Sequence, residues 1–112
     1  MKSILSFLLI FICVSFLNTS STLAANIEEG EKIFTANCAV CHAGGNNAIM
    51  PEKTLKLETL EKFGMYSLDA ITTQVKGGKG AMPAFQTRLN SDDIDNVANY
   101  VLNQAKQGWD ED

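Results

Sequence analysis

The chain has 112 residues, with 9 basic and 13 acidic side chains for a net charge of −4, and it holds 3 cysteines and a single histidine. Such a length allows one small domain once any leader is subtracted. The acidic balance leaves no basic patch to displace counterions from phosphates, which excludes a nucleic-acid-binding role.

The N-terminus reads as an export signal. Lys2 opens a nearly unbroken apolar run from Ile4 to Leu17, followed by a polar patch and then Thr22-Leu23-Ala24, with small residues at a peptidase site. The run is too short for a membrane span. Cleavage is expected after Ala24, with Ala25 as the alternative, leaving residues 25–112 as the domain. The leader lacks the Arg- and Ser-rich stretch of an organelle transit peptide, which points to a gene read inside a bacterium or a plastid. Cleavage leaves 88 of the 112 residues, and with Lys2 removed the balance is 8 basic against 13 acidic, a net charge of −5. Cys13 goes with the leader as an ordinary apolar signal residue, and no lipobox precedes it. A chain this small buries only ~60% of its unfolded surface and often needs a staple.

Four helices are predicted. The first starts at Asn26 as N-cap, with Glu29 as a capping-box partner and Glu28, Glu29 and Glu31 at the favourable end of the dipole. Its apolar face runs through Ile27, Gly30, Phe34 and Cys38. Gly44-Gly45-Asn46-Asn47 breaks the chain into a loop, and Met50 is kept non-helical by Pro51. A short helix is expected from Leu55 to Phe63, stopped by Gly64. Ser67 caps a third helix whose buried face is Leu68, Ile71 and Val75, ended by Gly77-Gly78. Gly80-Ala81-Met82-Pro83 is loop. The last helix has Ser91 as N-cap, Asp92, Asp93 and Asp95 in or near its first turn, and Lys106 before Gly108. Its stripe is Ile94, Val97, Ala98, Val101 and Ala105. No segment alternates with a period of two, so the fold class is all-α.

The chemistry sits in Cys38-Ala39-Val40-Cys41-His42. C-x-x-C-H is the attachment signature for c-type haem, with each sulfur adding across one vinyl group and the histidine placed to reach the iron. A zinc site needs four protein ligands, or three plus water, and no further Cys or His remains after cleavage. A thioredoxin-like pair needs a βαβ context and a lowered thiol pKa at a helix start, whereas Cys38 lies at a predicted helix end. A structural disulfide would close a tiny loop and leave His42 without a role.

The second axial ligand decides what such a haem does, because a thioether opposite histidine gives a closed, electron-transferring site. Met50 is only eight residues past His42, which gives the chain little room to pass the ring edge. Met65 follows a helix-ending glycine with nothing to position it. Met82 lies forty residues past His42 in a loop stiffened by Pro83 and flanked by glycines. Met82 is therefore the expected ligand, and Met50 a packing residue of the haem pocket.

From Ala25 to Trp109 the sequence closely resembles cytochrome c6. The resemblance rests on GEKIFTANCAVCHAGGNNAIMPEKTL, AITTQVKGGKGAMPAF, RL and NVANYVL, and it covers essentially the whole mature chain. It implies a small class I cytochrome c fold, about four helices wrapped around one covalently attached haem c. It implies Cys38 and Cys41 as thioether positions, His42 and Met82 as axial iron ligands, and Gln74 as a polar neighbour that helps set the potential. Arg88 is implied as a contact for the electron acceptor. Gly30, Phe34 and Tyr100 match the family's crossing of first and last helices. Gln86-Thr87 departs from the pattern, since small residues are common before the arginine. The function implied is a mostly monomeric, non-enzymatic one-electron carrier of the thylakoid lumen, docking transiently between the cytochrome bf complex and photosystem I. The alternative is a periplasmic cytochrome c feeding a terminal oxidase.

Overall fold

The computed structural model describes residues 26–110. The expected leader, residues 1–24, lies outside them. Helix α1 spans 26–37, α2 Ala39–His42, α3 Leu57–Lys62, α4 Leu68–Gly77 and α5 Ser91–Lys106. A 3-10 turn, Ala43–Gly45, follows α2 directly. Among the described residues the only β pairing is one isolated bridge, Lys79 with Met82, so the all-α expectation holds.

The α1 helix packs on α5 through a glycine. A Cβ at Gly30 would stand 2.1 Å from the Asn96 carbonyl oxygen and 2.8 Å from the Tyr100 Cβ, so only glycine admits α5 at this distance. One turn further on, the Phe34 and Tyr100 rings lie 5.3 Å apart, and Phe34 and Trp109 5.4 Å apart. These separations suit the tilted aromatic contacts that ring quadrupoles favour. Along α5 the predicted stripe is the core: Ile94, Val97, Ala98, Val101 and Ala105 are all buried, and α4 packs against it. The buried face is wider than the stripe, since Tyr100 and Gln104 are buried as well.

The caps refine the predicted boundaries. Ser67 Oγ accepts from the Ala70 amide at 3.1 Å, as expected for the α4 N-cap. The α5 cap is Asn90 rather than Ser91. Asn90 is extended, its side chain accepts from Asp93 N at 2.8 Å, and its own N–H donates to Asp93 Oδ2 at 3.3 Å. That reciprocal pair satisfies two end groups at once, and Ser91 is already the first helical residue. The α1 helix is helical from residue 26 itself, and Glu29 pairs with Lys32 at 3.4 Å. The α3 helix starts at Leu57, two residues later than expected, because Lys56 is extended at ψ 151 and serves as its N-cap, while the Leu55 N–H donates to the Gly45 carbonyl at 2.8 Å. Leu68, expected in the core, is 40% exposed, and Thr72 is buried in that face instead, its hydroxyl donating to the Asp69 carbonyl at 3.1 Å.

Two helices end in the same way. After α3, Gly64 takes φ +67, its N–H reaches the Glu61 carbonyl, and Met65 N–H reaches back to Leu60 O at 2.7 Å. After α5, Gly108 takes φ +75, its N–H reaches the Ala105 carbonyl, and Trp109 N–H reaches Gln104 O at 2.8 Å. Both are Schellman motifs, which satisfy orphan carbonyls and turn the next apolar side chain back onto the helix. Met65 is thus positioned, contrary to the sequence expectation, and Trp109 closes the core.

Candidate functional site

The side chains singled out from the sequence converge on one cavity of about 660 Å³, lined by Cys38, Cys41, His42, Gln74, Met82 and Arg88. Its walls are otherwise mostly apolar, with Phe34, Leu60, Ile71, Val75, Val97 and Val101 contributing from four helices. A cofactor pocket of this type is concave and apolar with a few placed polar groups.

One side of the cavity is built from the α1–α2 junction. Cys38 breaks the helix with φ −115 and ψ −30, while its carbonyl still accepts from His42 N at 2.9 Å. Cys41 and His42 follow on the short α2. Both thiols are free and half-buried. Burial, with the neighbouring Cys41 adding to it, pushes the Cys38 thiol up to about 11. A dithiol redox centre needs the opposite shift.

His42 is half-buried, and its Nδ1 lies 2.9 Å from the Asn46 carbonyl oxygen. A carbonyl only accepts, so Nδ1 carries the proton and Nε2 keeps its lone pair. Donation of the other ring N–H to a backbone carbonyl orients a metal-binding imidazole and raises its basicity. Among the described residues no three His, Cys, Asp or Glu side chains are grouped to hold a metal ion. Besides the two thiols, the donors lining the cavity are one imidazole nitrogen and methionine sulfur.

Met82 is held by the loop after α4. Gly78 takes φ +71, and a Cβ there would meet Met82 O at 2.7 Å and Ala84 N at 2.8 Å, so glycine lets the loop fold against the helix end. Lys79 and Met82 exchange two backbone hydrogen bonds of 3.0 Å, with Gly80 at φ +57 in the first corner of the turn between them. A positive φ at that corner is what a two-residue hairpin turn requires. Beyond Pro83, Phe85 N–H donates to Val75 O at 2.9 Å and returns the chain to α4. The result places Met82 Sδ 3.5 Å from Gln74 Nε2, which donates to it. Gln74, three residues past the buried Ile71, is carried on the cavity side of the same helix.

Met50 lies on the cavity wall but is 42% exposed, its N–H held by Asn47 Oδ1 at 2.8 Å. Met65 also lines the cavity. Arg88 is exposed at the rim, its guanidinium 5.3 Å over the Phe85 ring. Two organising residues escaped the sequence reading. Asn47 clamps its loop, accepting from Ile49 N and Met50 N and donating to Lys53 O at 2.9 Å. Trp109 donates from Nε1 to Leu55 O at 2.9 Å. An apolar residue directly after the glycine of a helix end was the available signal for the second.

A family model described as cytochrome c oxidase, cbb3-type, subunit III, matches residues 25–101. A cytochrome c6 from Bumilleriopsis filiformis is 67% identical over 86 residues, covering 77% of this chain and all of that protein. Another from Cyanidioschyzon merolae is 58% identical over 110 residues, 97% of this chain and all of its own length. The chain belongs to the cytochrome c6 family. The crystal structure of cytochrome c6 from the diatom Phaeodactylum tricornutum superimposes with a TM-score of 0.73 at 55% identity, covering 74% of this chain and 98% of that one. The fold is the small class I cytochrome c fold, and the family's cofactor is a covalently bound haem c with its iron. A c-type cytochrome of this family carries electrons. The cavity fits that group, since the C-x-x-C-H thiols, one oriented imidazole and a thioether all line a single apolar pocket.

Proposed function

We propose that this cytochrome is the mobile one-electron carrier of the thylakoid lumen, taking electrons from the cytochrome bf complex and delivering them to photosystem I. Cys38 and Cys41 form the thioether bonds, His42 Nε2 and Met82 Sδ bind the iron, and residues 1–24 are the removed leader. When bound, the haem supplies an iron that gains and loses one electron without any substrate bond being made or broken. The observation that carries this reading is the convergence of His42 and Met82, forty residues apart, on one cavity with their coordinating atoms already oriented by Asn46 O and Gln74 Nε2.

The chain's residues do three things. Asn46 O holds the imidazole in one tautomer, and Gln74 withdraws electron density from the thioether. The apolar walls keep water away, so the charge change is felt at low dielectric and the potential is set by these few contacts. Arg88, exposed at the rim, is the residue that contacts the acceptor in this reading. Contact is small and transient, as electron-transfer encounters are, and the net-negative carrier is steered to a positive patch on its partner.

The test is to reduce the protein chemically and mix it with isolated photosystem I or with a terminal oxidase. Fast oxidation by photosystem I, slowing as salt rises, is the expected result. Rapid oxidation by the oxidase alone would replace this reading with the periplasmic one.

A further inference from the structure

We propose that Trp109, from the far end of the chain, is a positioning residue for the His42 imidazole. The inference rests on His42 being an iron ligand, and it concerns what keeps the acceptor of its Nδ1–H in place.

That acceptor, Asn46 O, belongs to the residue after Gly45. Gly45 has φ +79 and is buried, and a Cβ on it would fall 2.6 Å from three ring atoms of Trp109. The indole therefore lies flat against this glycine, in space only a hydrogen can share. The same indole donates to Leu55 O at 2.9 Å, and Leu55 N donates to Gly45 O at 2.8 Å. Trp109, Leu55 and Gly45 thus form a closed circuit of one ring contact and two hydrogen bonds. Asn46 is held from its other side by its N–H on Ala43 O at 3.2 Å.

Trp109 is itself forced into place. Its φ of +59 is the left-handed region, and it is the only non-glycine residue there among those described. A bulky side chain persists in that region only where its surroundings over-determine it. Here Phe34, Tyr100, Gly45 and Leu55 O hold the ring, which is 7% exposed. Loosening the circuit frees Gly45 and Asn46 O, weakens the Nδ1–H contact and lowers the basicity of the imidazole. A less basic ligand favours the ferrous over the ferric iron.

The experiment uses the haem-loaded protein and compares Trp109→Phe with Ile94→Val, a core change on α5 outside the circuit. Trp109→Phe keeps an aromatic ring but loses the donor to Leu55 O. It is expected to speed solvent exchange of the His42 Nδ1–H in the ferrous protein, read by NMR. It is also expected to shift the one-electron reduction equilibrium about threefold to tenfold towards ferrous, the range of a weakened hydrogen bond. Tenfold corresponds to ~59 mV for one electron. Ile94→Val is expected to lower the thermal midpoint and leave both readouts unchanged. Equal exchange and equal potential in Trp109→Phe and wild type would overturn the inference. Should Trp109→Phe fail to fold, native-state exchange of the wild-type protein decides. Trp109 Nε1–H, Leu55 N–H and His42 Nδ1–H opening as one unit supports the inference, and independent opening overturns it. Absence of iron-shifted His42 ring resonances in the wild-type ferric protein would be a different failure, one that removes the ligand reading itself.

Discussion

Replacing Gly30 with alanine tests the α1–α5 crossing most directly. The added Cβ would sit 2.1 Å from Asn96 O, whereas contacts become ordinary only from 3.4 Å, so the helices must part by about 1.3 Å there. The obstructing atoms are the Asn96 carbonyl and the Tyr100 Cβ, neither of which can rotate away. Overpacking of this kind costs about 1–3 kcal/mol, and backbone against backbone belongs at the upper end. Alanine recovers about 1 kcal/mol of helix propensity, which leaves a net loss of roughly 2 kcal/mol. For a domain of this size that lowers Tm by roughly 8–16 °C. The assay is thermal unfolding of the haem-loaded protein, followed by far-ultraviolet circular dichroism and haem absorbance. Gly77→Ala is the internal control, because nothing lies within 4 Å of a Cβ at that helical position. It should be neutral or stabilising by up to about 1 kcal/mol. A Gly30→Ala protein as stable as wild type would refute the close-approach argument.

Three further outcomes are expected. Gln74→Leu removes the donor to Met82 Sδ, and the reduction equilibrium should shift about threefold to tenfold towards ferric, measured by potentiometric titration. Met82→Ala opens the distal position, so the reduced variant should bind carbon monoxide promptly while wild type does not. A prompt spectral shift in wild type would remove Met82 as a ligand. Asn90→Ala should cost about 1 kcal/mol by loss of the α5 cap, whereas Ser91→Ala should change stability by less than half of that; equal losses on thermal unfolding would return the cap to Ser91.

What could be seen from the sequence was the part governed by near neighbours. The i, i+3, i+4 stripe of α5, the Ser67 cap and the glycines at 64 and 78 follow from rules acting within one or two turns. The C-x-x-C-H run is equally local, and the forty-residue step to Met82 was a matter of chain reach. The misses have non-local causes. Leu55 lies before α3 and is tied to Gly45, ten residues earlier, and the Trp109 indole finds its acceptor 54 residues away. Periodicity assigned Leu68 to a face but carried no information on how far the opposing surface extends. Asn90 and Ser91 are both good caps, and Asp93, three residues past Asn90, selects the first of them.

The loop bearing Met82 is fastened to Val75 through Phe85, and Gln74 is the residue just before Val75 on the same helix. The thioether and its amide donor are therefore passengers on one carriage. A displacement of α4 against the rest of the molecule, on docking or by thermal agitation, moves both together and leaves their separation unchanged. Common-mode motion of this kind preserves the hydrogen bond on the sulfur when this side of the protein is pushed.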